Sequence, residues 1–362
     1  IRMMWGISME KKIMRIFAVI LVVSLALFIG VFMGVGDIHY KSEVLAKETK
    51  ESKGNKEMIA TVMRDKEENA RELQSFADKG QIRISIPQNV KDSDVKLNEN
   101  IISSSYQVVI PNAGSDYFDT NPILGSVSRI DDFYTYDDGG NAYFDITLNG
   151  VYECKPTIEN GFIYLDFQDP HKIYDNVLVV DAGHGGKDVG AIQGDIQEKD
   201  INLAIVLKLK ELLDADLSIK TYYTRTDDAN PTLRERVNLA NDVGADLFLS
   251  VHNNSITGFG RSMTSGTQVL YYVSDPSGNS KVFADILLDK LCAALGSVNR
   301  GLVNGDDILI IHNSKAPVAL VEVGFMSQND ELKKLTDESY QRKCAKALYD
   351  SIKEMIDITY KE

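Results

Sequence analysis

Three apolar runs in this chain each give way to an ionisable side chain. After Val177–Val180 come Asp181, Ala182, Gly183 and His184; after LFLSV comes His252; after VALV comes Glu322. Short, unbroken apolar runs read as strands buried on both faces. Ligands of such sheets bind at the carboxyl ends of the strands, so three strands deliver ionisable groups to one edge. A carboxylate ending a core strand carries a desolvation cost, which packing alone does not explain. Two imidazoles and a carboxylate make a nitrogen/oxygen donor set suited to a catalytic zinc with one position left for water. A second carboxylate beside that cation would be the general base acting on the water. The pattern supplies His184, His252 and Glu322 but leaves open which acid completes the donor set. Asp181, Asp188, Asp195, Glu198 and Asp200 are all near enough along the chain, and Glu198 opens the following helix.

Gly183, Gly185 and Gly186 permit a sharp turn and a close approach of backbone to a ligand. The loop GHGGKDVG lacks the spacing and the terminal Lys-Ser/Thr of a phosphate-binding P-loop and is not a GxGxxG motif. His39 lies beside an N-terminal apolar segment and His171 between domains, so neither is a candidate; His312, in LIIHNSKAP, reads as a loop residue towards the site edge. Cys154, Cys292 and Cys344 show no CxxC spacing and read as small hydrophobes.

From Lys172 onwards strands and helices alternate. The expected order is strand Val177–Val180, a helix from about Lys199 to Leu213 with an apolar stripe of Leu203, Leu207 and Leu212, and strand LSIKTYYT. A helix capped by Asn230 follows, with Pro231 at its first position and Gly244 just past its end. Then come DLFLSV, GTQVLYYV, the helix SKVFADILLDKLCAAL, strand VALVEV and a last helix, YQRKCAKALYDSIKEMI. This predicts an α/β domain over 171–362, a mostly parallel twisted sheet with helices on both faces. Residues 81–170 alternate with period two between turn signals such as Asp138-Gly139-Gly140, which predicts a small all-β sandwich.

Residues 16–36 carry no charge, and a helix of about 20 apolar residues spans a bilayer. Lys11, Lys12 and Arg15 on its flank place 1–15 in the cytoplasm and the rest outside. The expectation is a single-pass anchor in the cell membrane, the alternative being a cleaved signal peptide and secretion. Residues 37–80, rich in Lys and Glu, read as a charged stalk. A net charge of −14 argues against a nucleic-acid partner.

VVDAGHGGKDVGA, QEKDINL, TRTDD with TLRERVNLAN, LFLSVHNN with GTQVLYY, and PVALVEVGFMSQNDE together resemble the zinc-dependent N-acetylmuramoyl-L-alanine amidases of the Amidase_3 family. The resemblance implies that His184, Glu198 and His252 hold Zn2+ and that Glu322 is the catalytic glutamate. It further implies peptidoglycan as substrate, cut at the amide joining N-acetylmuramic acid to L-alanine of the stem peptide. Gln328 stands where the family commonly has Asn. A catalytically silent wall-binding or regulatory protein of the same fold is the alternative. The β segment faintly resembles the AMIN domain, a wall-targeting module. Only NSITGFGRSMTS separates Asn254 from Gly266, too short for the helix that plugs the site in certain relatives, so no such plug is expected.

Overall fold

The computed structural model describes residues 81–114, 116–125, 128–256 and 263–359. The expected anchor (16–36) and stalk (37–80) lie outside the described residues, as does much of the segment after Asn254 in which no plug is expected. Among the described residues no helix is long and apolar enough to cross a membrane. The chain divides into two compact units, the second comprising Asn100–Ser104, Gly150–Tyr152 and Gln168–Glu362.

The first unit is built of strands. One four-stranded sheet is ordered Leu124–Gly125, Ile82–Ser85, Phe162–Leu165, Thr157–Glu159; another is ordered Lys96–Asn100, Ser105–Ile110, Asn141–Leu148, Ile130–Asp138. Asn141–Leu148 buries Ala142, Phe144, Ile146 and Leu148 and leaves the residues between them more exposed, the period-two alternation of a strand with one wet face. The preceding turn pairs Asp138 with Asn141, and its two central glycines have φ of 59° and 85°. Positive φ at both positions is what a two-residue hairpin turn needs to match strand twist.

The second unit is numbered on its own. In order it contains β1 (Val177–Ala182), α1 (Glu198–Leu213), β2 (Lys220–Tyr223), α2 (Leu233–Asp242), β3 (Leu247–Asn254) and β4 (Thr267–Tyr271). α3 (Asn279–Leu295), β5 (Asn299–Asn304), α4 (Leu309–His312), β6 (Val318–Phe325), α5 (Asn329–Leu335) and α6 (Glu338–Thr359) follow, and a short hairpin, Ile192–Gln193 with Ile196–Gln197, turns at Gly194 and Asp195 just before α1. The sheet order is β2-β1-β3-β6-β4-β5. β2, β1, β3 and β6 are mutually parallel; β4 runs against β6, and β5 follows β4. The sheet is thus mostly parallel, as expected, and the antiparallel β6–β4 pair makes it mixed. β4 starts at the edge where β3 ends, because Gln268 pairs with Glu322, and so it runs back across the sheet.

Helices cover both faces. Leu178, Val180 and Ala182 of β1 join a core with α1, α3 and α6, whereas Val177 and Val179 join one with α2 and α4. The buried side of α1 is Ile201, Ile205, Leu209 and Leu213 at four-residue spacing, not the expected Leu203, Leu207 and Leu212; Leu207 is exposed. Each fully buried aliphatic side chain contributes roughly 1.5–3 kcal/mol.

α2 begins two residues later than Pro231 at the first position would place it. Thr232, not Asn230, is its cap: its hydroxyl accepts from Glu235 N–H at 3.3 Å, and Glu235 Oε2 accepts from Thr232 N–H at 2.7 Å. This reciprocal pair satisfies two backbone donors that the first turn leaves free. Gly244 does lie just beyond the helix, with φ of 63°. Thr232→Ala is expected to cost about 1 kcal/mol in denaturant unfolding, while Asn230→Ala leaves the midpoint near that of the parent chain. The reverse ranking would restore Asn230 as the cap.

Candidate metal centre

Glu198 is the first residue of α1, where the helix dipole favours negative charge. It is 5% exposed, and both carboxylate oxygens are engaged. Oε1 accepts from Asn253 N–H at 3.1 Å and from Asn202 Nδ2 at 3.3 Å, and stands 3.1 Å from His252 Nδ1. Oε2 accepts from Ala191 N–H at 2.9 Å and stands 3.3 Å from His184 Nε2. One ligand atom from each of His184, Glu198 and His252 lies within 4.8 Å of the others. Two ligands on a tetrahedral zinc, each about 2.1 Å from the ion, are about 3.4 Å apart. The imidazole nitrogens stand at about that distance from one or other oxygen of Glu198, 3.1 Å from Oε1 and 3.3 Å from Oε2, and two imidazoles with a carboxylate are donors that fit the ion.

Burial would raise the Glu198 carboxyl, but hydrogen bonds to His184 and His252 outweigh it and hold the group well below the usual carboxylate range. Burial would lower His184; the bonds and charges of Glu198 and Asp188 overcome it and raise the imidazole to about 9.

Glu322 lies on β6 directly beside His252 on β3, strands that run about 4.8 Å apart. Its Oε2 is buried and has no hydrogen-bond partner among the described residues. Burial pushes it up to about 7, with Glu198 raising it further and the two imidazoles pulling it down. A carboxyl in that range can both take and return a proton near neutrality.

The loop that carries His184 is tightly held. His184 itself has φ of 61°, Gly185 139° and Gly186 52°. A left-handed backbone at a non-glycine residue costs of order 1 kcal/mol or more and persists only where its surroundings impose it. Two buried arginines impose it here. Arg225 donates to the carbonyls of Ala182 and Gly183 at 2.8 and 2.9 Å; Arg236 donates to those of Ala182 and His184, both at 2.8 Å. Asp181, wholly buried, accepts from Arg236, Thr224 and Ser250, each at 2.6 Å. Burial favours its neutral form, but Arg236 and the two hydroxyls keep it below the usual range. Lys199 and Asp228 clasp Gly186 from outside, through its carbonyl at 3.0 Å and its N–H at 2.8 Å.

The glycines answer to close approach. A Cβ on Gly183 would stand 2.2 Å from the His252 ring, and one on Gly190 would stand 2.5 Å from Glu198 Oε2.

The structure thus brings together His184, Glu198 and His252 and sets Glu322 alongside. Of the acids left open by the sequence, Asp181 sits in the arginine network, Asp188 bonds the far side of His184, and Asp195 and Asp200 are exposed. His171 contacts Gly244 O. His312 is not at the site edge: it ends α4, shortly before β6 starts, on the opposite edge of the sheet, against Tyr272. The arginine clamp and the Asn202–Asn253 pair, joined at 2.7 Å, have no counterpart in the sequence reading. Their trace lies in QEKDINL, TRTDD, TLRERVNLAN and SVHNN, polar residues within or just past regular elements. In Gly183→Ala the added methyl is expected to displace the His252 ring and weaken zinc binding, read by chelator competition. Unchanged affinity would contradict the close packing.

A family model described as N-acetylmuramoyl-L-alanine amidase, Amidase_3, matches residues 178–354. The chain is 37% identical over 191 residues to the uncharacterized protein YqiI of Bacillus subtilis, covering 52% of this chain and 89% of that one. It is 33% identical over 189 residues to the germination-specific N-acetylmuramoyl-L-alanine amidase of the same organism, covering 49% of this chain and 78% of that one. With the N-acetylmuramoyl-L-alanine amidase LytC, also of B. subtilis, it shares 35% identity over 173 residues, 48% of this chain and only 34% of that longer one. Similarity of this extent, over the α/β unit, shows that the chain belongs to the N-acetylmuramoyl-L-alanine amidase family Amidase_3.

Proposed function

We propose that this chain hydrolyses the amide between N-acetylmuramic acid and L-alanine of the peptidoglycan stem peptide, with zinc held by His184, Glu198 and His252. The observation that carries this reading is a cluster of three donors within 4.8 Å of one another, with the buried, unpartnered Oε2 of Glu322 on the adjacent strand. The printed activity of the relatives supplies the choice of bond. When bound, zinc would polarise the scissile carbonyl and acidify a water. His184 and His252 present Nε2 and Nδ1, and Glu198 adds a carboxylate that α1 and three N–H donors keep from turning away. Glu322 takes the proton of the attacking water at Oε2 and returns it to the departing amine. With its carboxyl raised to about 7, both forms of Glu322 are accessible near neutrality.

The segment 16–36 is assigned to a membrane anchor and 37–80 to a stalk, which would put the α/β unit on the side where wall polymer lies. Fractionation of cells producing the full chain tests this: retention in membranes, lost on deleting 16–36, is expected, and recovery in the medium would favour signal cleavage.

Purified protein should release free stem peptide from wall, lose that activity to a chelator and regain it with zinc. Glu322→Gln should lower kcat by about 10²–10⁴ while zinc binding stays near parental. Undiminished wall hydrolysis by Glu322→Gln would contradict the assignment and favour a different base.

A further inference from the structure

We propose that Asp188 is a positioning residue for this centre, fixing the tautomer and orientation of His184 through a charged hydrogen bond. This rests on the metal-binding reading above and goes beyond it.

The two imidazoles are held differently. His252 presents Nδ1 to Glu198, and the rest of its ring lies against Gly183 so closely that a methyl there would be 2.2 Å from Nε2. Close packing on Gly183, together with the Glu198 contact, determines how that ring stands. His184 presents the opposite nitrogen, Nε2, to Glu198 and projects from a loop; its side chain is 24% exposed against 17% for His252. What meets its other nitrogen is Asp188, whose Oδ1 accepts from Nδ1 at 2.9 Å. An imidazole that donates Nδ1–H to a carboxylate has its lone pair on Nε2, the atom turned towards Glu198. Such a carboxylate behind a ligating histidine fixes the ring and raises its basicity.

The backbone builds the contact. Gly185 and Asp188 exchange both N–H···O=C bonds, at 2.8 and 3.0 Å, so the chain folds back and returns the Asp188 side chain over the ring four residues earlier. That turn needs no side chain, which leaves the carboxylate free for the imidazole and for a longer bond from Gly190 N–H at 3.4 Å. Asp188 is 54% exposed, so the direction of its bond matters more than its screened charge at a distance.

The test is zinc affinity of the full chain, read by competition with a chromophoric chelator, for the parent, Asp188→Ala, Asp188→Asn and Asp195→Ala, an exposed acid in the neighbouring hairpin turn. Asp188→Ala should bind zinc about 10–100-fold more weakly, with Asp195→Ala unchanged. Asp188→Asn keeps the shape and removes the charge; it should be weakened severalfold. Nitrogen-15 NMR of the zinc-bound parent should show His184 protonated at Nδ1, and in Asp188→Ala that proton should exchange with water markedly faster. Affinity of either Asp188 variant within twofold of the parent would overturn the proposal, as would a parent His184 protonated at Nε2. Absence of zinc binding by the parent would instead overturn the proposed function.

Discussion

A carboxylate that is 5% exposed, at the start of a helix and between two imidazoles, is the interaction on which this unit's chemistry depends. Removing an ionised carboxyl from water costs several kcal/mol unless donors or a cation replace the lost hydration. Glu198 is supplied with three N–H donors and two ring nitrogens, and its carboxyl stays ionised in spite of burial. The donors fix where its oxygens point; the imidazoles convert that fixed carboxylate into a cation site. Glu322, one strand over, receives the opposite treatment: it is partly buried and its Oε2 has no donor among the described residues, which leaves it near the balance between its two protonation states. Two glutamates of one site are thus separated in role chiefly by their hydrogen-bond partners and neighbouring charges.

The cost of assembling the site is met by the fold beneath it. β1 carries Asp181 as its penultimate residue, and β3 carries Ser250 two residues ahead of His252; both meet Arg236 or its carboxylate partner under the glycine loop. Because Arg225 and Arg236 between them take the carbonyls of three successive residues, His184 can hold a backbone conformation that would otherwise relax. The sheet provides strand ends at fixed spacing, and the buried ion network turns those ends into a rigid cradle.

Much of this was legible in the sequence, and the parts that were not have physical reasons. Apolar strands that end on His and Glu announce themselves by the abrupt change in character, which is why His184, His252 and Glu322 are found without any fold. Which acid joins them depends on how the chain returns after the glycine loop, and five acids lie within reach along the sequence. The resemblance to a family names Glu198; the pattern does not. The stripe of α1 was misread because EKDINLAIVLKLKELL carries apolar residues on most of its circumference, so packing against the sheet selects Ile201, Ile205, Leu209 and Leu213. The reversal of β4 hinges on the edge at which a segment re-enters, which hydrophobic periodicity does not encode. Buried arginines read as surface charge until their carboxylate partner is seen.

Zinc-edge anomalous diffraction from crystals of the zinc-loaded protein tests the central claim most directly. The account predicts one strong peak, with His184 Nε2, His252 Nδ1 and a Glu198 carboxylate oxygen about 2.0–2.2 Å away and Glu322 directed at the remaining position. A peak bound elsewhere, or one at this cluster lacking any of those three donors, would contradict it.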